Sequence, residues 1–189
     1  MPRPDGLQFR EARQEDTARI AALHTDSWRR HYRGAYSDAF LDGDVAAVRL
    51  EVWSGRLRQA QRGSCTILVE QSTDEPLIGF AHTIFDHDAT WGALLDNLHV
   101  RRGHMRGGVG TRLLALTAEA VIRHSETSGL YLWVLEQNVD AQAFYEACGG
   151  RRVERELVRP PGGVPSRLNG SPAGLRYAWP DPAVLLEQR

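Results

Sequence analysis

The stretch MRGGVGTRLL, residues 105–114, places Gly107, Gly108 and Gly110 around a valine, directly before an apolar pattern with helical spacing. Glycines at the start of a helix let the backbone N–H groups approach a ligand closely, and the positive end of the helix dipole faces the same space. Such a site binds anions, most often phosphate. Three phosphate-binding designs begin in this way, and the rest of the chain decides between them.

Two of these designs do not fit the sequence. A Walker-type loop needs a lysine after its last glycine, whereas Thr111 follows Gly110 and all 23 basic residues of the chain are arginine. A dinucleotide fingerprint needs a third glycine within an early strand–helix–strand unit. Residues 111–113 contain no glycine, and three consecutive predicted strands precede the loop. The absence of lysine also excludes a Schiff-base or nucleophilic lysine.

The pattern of apolar residues predicts a single α/β domain of 189 residues with a mixed sheet, without repeats or a second domain. Between the last two strands lies a long Pro/Gly-rich loop, residues 159–174. The helices are predicted at about 16–34, 44–60, 109–125 and 140–148, and the strands at 7–13, 65–70, 77–85, 91–100, 129–135, 151–157 and 175–180.

Composition narrows the partners and the compartment. A formal charge of −1 gives no bulk attraction to nucleic acid or to an anionic membrane, and no apolar run is long enough to span a bilayer. The polar start of the chain and the presence of only Cys65 and Cys148 fit the cytoplasm. His82, Asp86 and His87 lack metal-ligand spacing, so we expect them to be surface or pocket-rim groups and expect no metal.

The third phosphate design resembles the GCN5-related N-acetyltransferase (GNAT) family. The resemblance rests on a strand ending at Val100, the Gly108-Val109-Gly110 core and the later motif NVDAQAFYEACGG, residues 138–150. It covers about residues 7–180. It implies one domain with a twisted, mostly antiparallel sheet, flanked by helices and with splayed central strands.

The resemblance also implies that the chain uses acetyl-CoA as a co-substrate. Three positions depart from the family pattern, because Arg102 replaces proline, Met105 replaces Gln or Arg, and Arg106 replaces glycine. Met105 cannot donate a hydrogen bond to phosphate, and a nearby guanidinium is the expected substitute. The residues assigned to the coenzyme are Leu98, His99, Val100, Met105, Arg106, Gly107, Gly108, Val109, Gly110, Thr111, Asn138 and Tyr145.

Tyr145 is the residue implied to protonate the leaving coenzyme A thiolate, because it occupies the tyrosine position of the second motif. The alternative is a core tyrosine on the inner face of a short helix. Phe144 is expected to be a core residue.

The attacking amine also has to lose a proton. Counting back from Val100 by twos places Leu98, Asp96 and Leu94 on one face of the strand, provided that no bulge intervenes. Asp96 is the ionisable side chain of that set and the candidate base. The alternative is an exposed charge or the partner of an arginine.

The acceptor site is predicted near Trp28, Tyr32 and Asp96. Trp28 and Tyr32 lie four residues apart on the first helix and could form an aromatic wall, or could simply pack in the core. The sequence therefore predicts an N-acyltransferase that moves an acetyl group to the primary amine of a small molecule by direct attack on the thioester. A protein N-terminal acetyltransferase and a non-catalytic acyl-CoA-binding regulatory module remain as alternatives. Many members of the family are dimers, so a homodimer is allowed.

Overall fold

The computed structural model describes residues 6–58 and 63–187. Its strands form one seven-stranded sheet in the order β1-β2-β3-β4-β5-β7-β6. Neighbouring strands are antiparallel, except that β4 and β5 are parallel. This confirms the predicted mixed, mostly antiparallel sheet. The strands are β1 Gln8–Glu11, β2 Ser64–Glu70, β3 Gly79–Asp88, β4 Gly92–Val100, β5 Leu130–Leu135, β6 Arg151–Leu157 and β7 Ala173–Trp179.

Five α-helices lie in the described parts of the chain: α1 Thr17–His31, α2 Asp38–Asp42, α3 Val45–Arg58, α4 Val109–His124 and α5 Val139–Ala147. The sequence did not predict α2, because five residues are too few to show a helical period. The end of the predicted second helix, residues 59–60, lies outside the described residues. None of the described helices is long and apolar enough to cross a membrane.

The helices cover both faces of the sheet. Successive side chains of a strand point to opposite faces, and Leu68 and Val69 of β2 accordingly belong to different apolar clusters. Leu68 packs with Ile20 of α1 and Trp53 of α3, whereas Val69 packs with the face of α4 that carries Leu113. Helices α1 and α3 therefore lie on one face, and α4 lies on the other.

The two parallel strands separate along their length, as the resemblance implied. Their register pairs Ala93 with Leu130 and Leu94 with Tyr131, and the ladder ends there. The remainder of β4 pairs with β3, and β5 pairs with β7 throughout. A cleft therefore opens between the carboxyl halves of β4 and β5.

A β-bulge interrupts β4 beside this cleft. His82 of β3 pairs with Asn97, but the next residue of β3, Thr83, pairs with Leu95, so Asp96 is an extra residue. Asp96 and Asn97 both bind Arg56 of α3, whereas Leu98 packs into the cluster on the α4 face. The prediction that Asp96 and Leu98 share a face was wrong, because the bulge breaks the alternation on which it depended.

Candidate functional site

The loop between β4 and α4 presents a row of free backbone donors. The N–H groups of residues 106–111 make no geometrically good hydrogen bond to a carbonyl or side chain of the described residues. Gly108, the residue before α4, has φ +79° and Arg106 has φ +63°. This left-handed backbone turns the loop into the helix. The row of donors lies at the start of a 16-residue helix, where an anion is favoured.

The three glycines of this loop have different roles. A Cβ atom on Gly110 would lie 3.3 Å from Cζ of Phe144, so Gly110 lets α4 approach α5 closely. A Cβ on Gly108 would meet nothing within 4 Å, but its positive φ disfavours other residues. A Cβ on Gly107 would make only an ordinary contact with the His104 carbonyl oxygen, at 3.5 Å. Close packing thus explains Gly110, whereas Gly107 and Gly108 border open space.

Arginines surround this loop, and not all of them are engaged. The Arg101 guanidinium donates to the Leu77 carbonyl oxygen at 2.7 Å. Met105, which cannot donate, is exposed. Among the described residues, neither Arg102 nor Arg106 has an ion-pair partner, and both are exposed. These two guanidinium groups are therefore available to an anion at the loop.

The open edge of β4 supplies further backbone groups. The Arg101 N–H donates to the Ile78 carbonyl oxygen at 2.7 Å, on the side of β3. Backbone groups alternate in direction along an antiparallel ladder, so Leu98 and Val100 direct theirs to the cleft. His99 directs its backbone groups to β3, so of the three residues 98–100 assigned to the coenzyme, it is the one whose backbone does not face the cleft.

Asn138 stands where β5 leads into α5. Its side-chain oxygen accepts from the Ala141 N–H at 3.3 Å and caps the helix. The side-chain nitrogen has no partner among the described residues. Asn138 therefore has a free amide donor at the end of β5.

Tyr145 is buried on the inner side of α5, with its ring near Phe144, Tyr177 and Trp179. Its hydroxyl makes no hydrogen bond to a described residue and is not among the fully enclosed polar atoms. Burial raises the pKa of Tyr145, so the hydroxyl stays protonated at neutral pH. Tyr145 thus combines core packing with a free hydroxyl.

Three histidines are buried between α1, α3 and the sheet. Ser27 Oγ lies 2.7 Å from His99 Nδ1, His24 Nδ1 accepts from Trp53 at 2.9 Å, and the Thr66 hydroxyl lies 2.8 Å from His82 Nδ1. Burial lowers the pKa of all three, to about 3 for His99 and about 4 for His82. The imidazoles are therefore neutral and weakly basic at neutral pH. The prediction that His82 is a surface group was wrong, but its side chain does line a cavity of about 710 Å³.

Asp96 forms an ion pair with Arg56 of α3, at 2.7 Å from Nη2. Asn97 Oδ1 accepts from the other terminal nitrogen of the same guanidinium at 2.9 Å. The Asp96 side chain is 30% exposed, so one side of the carboxylate faces solvent-accessible space. The structure thus shows an arginine partner for Asp96.

Trp28 and Tyr32 form an aromatic wall together with Tyr36. The Trp28 ring centroid lies 4.9 Å from that of Tyr32 and 5.1 Å from that of Tyr36, and Tyr32 and Tyr36 are stacked. Burial raises the pKa of Tyr32, and the charges of Tyr36, Tyr145 and Asp96 raise it further. The wall therefore lies close to both residues predicted to be catalytic.

Sequence reasoning missed Arg49 of α3, whose guanidinium carbon lies 4.1 Å from the Trp28 ring centroid. Arg49, Trp53 and Arg56 recur at helical spacing on the inner face of α3. The signal was present in the sequence, because two arginines share a helical stripe with a tryptophan. Tyr36 was missed because it follows the end of α1.

The predicted loop 159–174, whose last two residues lie in β7, is hydrogen-bonded to the segment that follows α1. The Ser37 N–H donates to Arg167 O at 3.0 Å, and the Asn169 N–H donates to Ala35 O at 2.9 Å. Arg167 also lies over the Phe40 ring, at 4.8 Å from its centroid. A groove of about 420 Å³ remains between this loop, Gly34 and the end of β5. In the described residues, no group of three His, Cys, Asp or Glu side chains is arranged to hold a metal ion.

Comparison with known proteins agrees with this geometry. Residues 25–150 match the model of the acetyltransferase (GNAT) family. The chain is 28% identical over 186 residues to the uncharacterized N-acetyltransferase YuaI of Bacillus subtilis, covering 95% of this chain and 96% of that protein. It is 26% identical over 146 residues to "Probable N-acetyltransferase Rv2775" of Mycobacterium tuberculosis, covering 76% and 79% of the two chains.

A solved structure shows the same fold. The PaiA N-acetyltransferase of Thermoplasma acidophilum, crystallised in complex with coenzyme A, matches with a TM-score of 0.67 at 20% identity. The match covers 92% of this chain and 99% of that one.

Proposed function

This chain belongs to the GNAT family of acetyltransferases and is an N-acetyltransferase, and from that premise we propose that it acetylates the primary amine of a small molecule. The amine attacks the thioester of acetyl-CoA directly, within one transferase domain. The observation that carries this proposal is the row of free N–H groups at residues 106–111, beside the open edge of β4.

Acetyl-CoA, the acetyl donor in this family, fits the cleft. The free donors of the loop and the Arg102 and Arg106 guanidinium groups suit a pyrophosphate. The backbone groups of Leu98 and Val100 can pair with the pantetheine amides, as an added strand would. The Asn138 amide nitrogen can donate from the opposite side of the split.

The reaction replaces the carbon–sulfur bond of the thioester by a carbon–nitrogen bond, and two protons move with it. The amine nitrogen bonds to the acetyl carbonyl carbon, the carbon–sulfur bond breaks, and the sulfur leaves with the electron pair. Tyr145 donates its hydroxyl proton to that sulfur. The raised pKa of the buried Tyr145 hydroxyl keeps the proton in place until the thiolate forms.

The proton of the attacking amine goes to Asp96, directly or through a water. Asp96 lies close enough to Tyr32 of the aromatic wall for its charge to raise the pKa of that tyrosine. The neighbouring histidines are less suitable acceptors, because His82 and His99 are buried and their Nδ1 atoms already pair with the Thr66 and Ser27 hydroxyls.

The thiols of the chain do not suit a covalent acetyl-enzyme intermediate. Burial raises the pKa of Cys65 to about 11 and also raises the pKa of Cys148. A thiol must ionise to attack a thioester. Direct transfer in a ternary complex is therefore the route that these residues support.

The residues around the proposed acceptor site favour a small molecule over the N-terminus of a protein as the acceptor. The aromatic wall is backed by residues 34–40, to which the loop 159–174 is tied by backbone hydrogen bonds. An extended peptide needs free backbone groups along which to lie, and backbone groups of Ala35 and Ser37 are already hydrogen-bonded to this loop. A protein N-terminal acetyltransferase is the alternative outcome of the test below.

The test is a panel of amines with acetyl-CoA, in which thiol release and acetylated product are measured together. The panel contains amino acids, polyamines, aminoglycosides and N-terminal peptides. Steady thiol release with a small amine, and the matching acetylated product, is the expected result. Release with peptides alone would replace the proposal by the N-terminal alternative, and no release with any amine would refute it.

A further inference from the structure

Arg49 is a cation without a counter-charge beside the aromatic wall. Its guanidinium lies over Trp28, and it makes no ion pair with any described residue. Its Nε atom is enclosed and has no hydrogen-bond partner. Burial lowers the pKa of Arg49, and the charge of Arg56 lowers it further. A half-buried guanidinium without a counter-charge is costly to maintain and is favoured where a ligand supplies the missing anion.

Asp96 is the carboxylate whose charge acts on Arg49, but it already forms an ion pair with Arg56. Asp96 raises the pKa of Arg49, but its oxygen lies 2.7 Å from Arg56. The three buried histidines carry no charge at neutral pH, because burial lowers their pKa values. Arg49, Arg56 and Asp96 therefore leave this wall with a surplus positive charge.

We propose that Arg49 binds an anionic group, a carboxylate or phosphate, on the acceptor, so that the substrate is an amine that also carries an acid. This rests on the proposed function. The acceptor amine lies between the thioester and Asp96, and its acidic group lies against Arg49. A planar guanidinium stacked on an indole keeps its nitrogen edge free to bind two oxygens.

The same charge disfavours a polycation. A polyamine brings several positive charges and needs unpaired carboxylates to receive them. On this wall Arg49 repels such a ligand, and the negative charge of Asp96 is already balanced by Arg56. Amino acids and amino phosphates therefore belong to the substrate class, and spermidine does not.

Matched pairs of amines test this inference. Each pair contains an acid and its neutral counterpart: amino acids with their carboxamides, and O-phosphoethanolamine with ethanolamine. We expect the acidic member of at least one pair to show a kcat/KM about 10- to 100-fold higher, the range for a charge-assisted hydrogen bond. Neutral amines or spermidine reacting as fast as every acidic amine would overturn the inference while leaving acetyl transfer intact. No thiol release with any amine would instead refute the proposed function.

Two variants connect the preference to Arg49. Arg49→Gln should raise KM for the acidic acceptor and abolish the preference, with kcat nearly unchanged; Arg49→Lys should retain part of it. Arg58→Gln, at the exposed end of the same helix, is the matched control and should retain all of it. A preference that survives in a folded Arg49→Gln variant would contradict the assignment. If that variant does not fold, the wild-type comparison of matched pairs decides.

Discussion

At the level of single residues, Tyr145 has two properties that core packing alone does not require. Its ring is enclosed by other aromatic rings, but its hydroxyl has no partner among the described residues. Tyr177, also buried, offers a contrast, because its hydroxyl donates to Glu146 at 2.6 Å. Because burial raises the pKa of Tyr145, its hydroxyl is protonated at neutral pH, and the lack of a partner among the described residues leaves that proton available for transfer.

Tyr145→Phe removes this hydroxyl and keeps the ring. We expect kcat to fall by roughly 10²–10⁴, the usual contribution of general acid–base catalysis, with the coenzyme A Kd unchanged by calorimetry. Tyr177→Phe is the control and should retain turnover in a folded variant. Wild-type kcat in Tyr145→Phe, with chemistry shown to limit the rate, would leave Tyr145 as a packing residue.

Asp96 has an arginine partner in the structure, and two variants separate that role from proton transfer. Asp96→Asn should lower kcat at neutral pH, and the rate should recover as the pH rises toward the pKa of the acceptor amine, because the free amine no longer needs a base. Arg56→Gln removes the partner but keeps the carboxylate, so it should not reproduce this recovery. Identical pH–rate profiles for the two variants would show that Asp96 serves only the ion pair.

At the level of elements, the loop before α4 joins a row of free donors to the splayed end of β4. Gly107 is the position where a side chain can be added with least disturbance, because its φ is not positive and a Cβ makes only an ordinary contact. Gly110 is less suitable, because a larger residue there would press on Phe144.

Gly107→Glu places a carboxylate where the pyrophosphate is proposed to bind. We expect calorimetry to show coenzyme A binding about tenfold weaker or more, which corresponds to about 1.4 kcal/mol. The loss should shrink at high salt, because exposed charges are screened. Gly107→Ala should bind nearly as well as the wild type. Equal affinity of Gly107→Glu and Gly107→Ala would remove the phosphate assignment.

The sequence predicted the elements around this loop better than the geometry inside them. The strand ending at Val100 and the helix starting at Val109 were predicted at their observed boundaries. The bulge at Asp96 was not predicted. It is a shift in the pairing between β3 and β4, and the sequence of β4 alone does not indicate where that pairing shifts. Arg49 and Asp96 were likewise placed by contacts between α3, α1 and β4, which are distant in the sequence.

At the level of the whole molecule, the buried histidines link stability to pH. His24, His82 and His99 have lowered pKa values in the folded state, chiefly because of burial. In the unfolded chain each titrates near pH 6.5. Between that pH and the pKa of the folded state, only the unfolded chain binds the proton. The neutral histidines therefore contribute their full stabilisation above about pH 6.5, and this contribution is lost as the pH falls below that value.

We therefore expect the free energy of unfolding, measured by denaturant titration, to fall between pH 7 and pH 5. Each histidine contributes about 1.4 kcal/mol per pH unit once it is charged in the unfolded chain. His82→Gln should reduce the slope of the free energy of unfolding against pH by the contribution of one proton, about 1.4 kcal/mol per pH unit. A free energy that is constant from pH 7 to pH 5 would contradict the neutral, buried state of these imidazoles.

The arrangement of the whole fold was predictable in outline, because alternating and helical apolar patterns fix each strand and helix locally. The splay of β4 and β5 came from the resemblance to a family, since no residue pattern within either strand indicates where their ladder ends. The attachment of the loop 159–174 to residues 34–40 was not predictable, because it depends on backbone hydrogen bonds between distant segments.

The measurement that tests the central claim most directly is the initial rate of thiol release as acetyl-CoA and a reactive amine are both varied. Direct attack in a ternary complex requires both substrates to be bound together. We therefore expect amine-dependent release with intersecting double-reciprocal lines. Parallel lines, the sign of a covalent acetyl-enzyme, or release that does not depend on the amine, would contradict it.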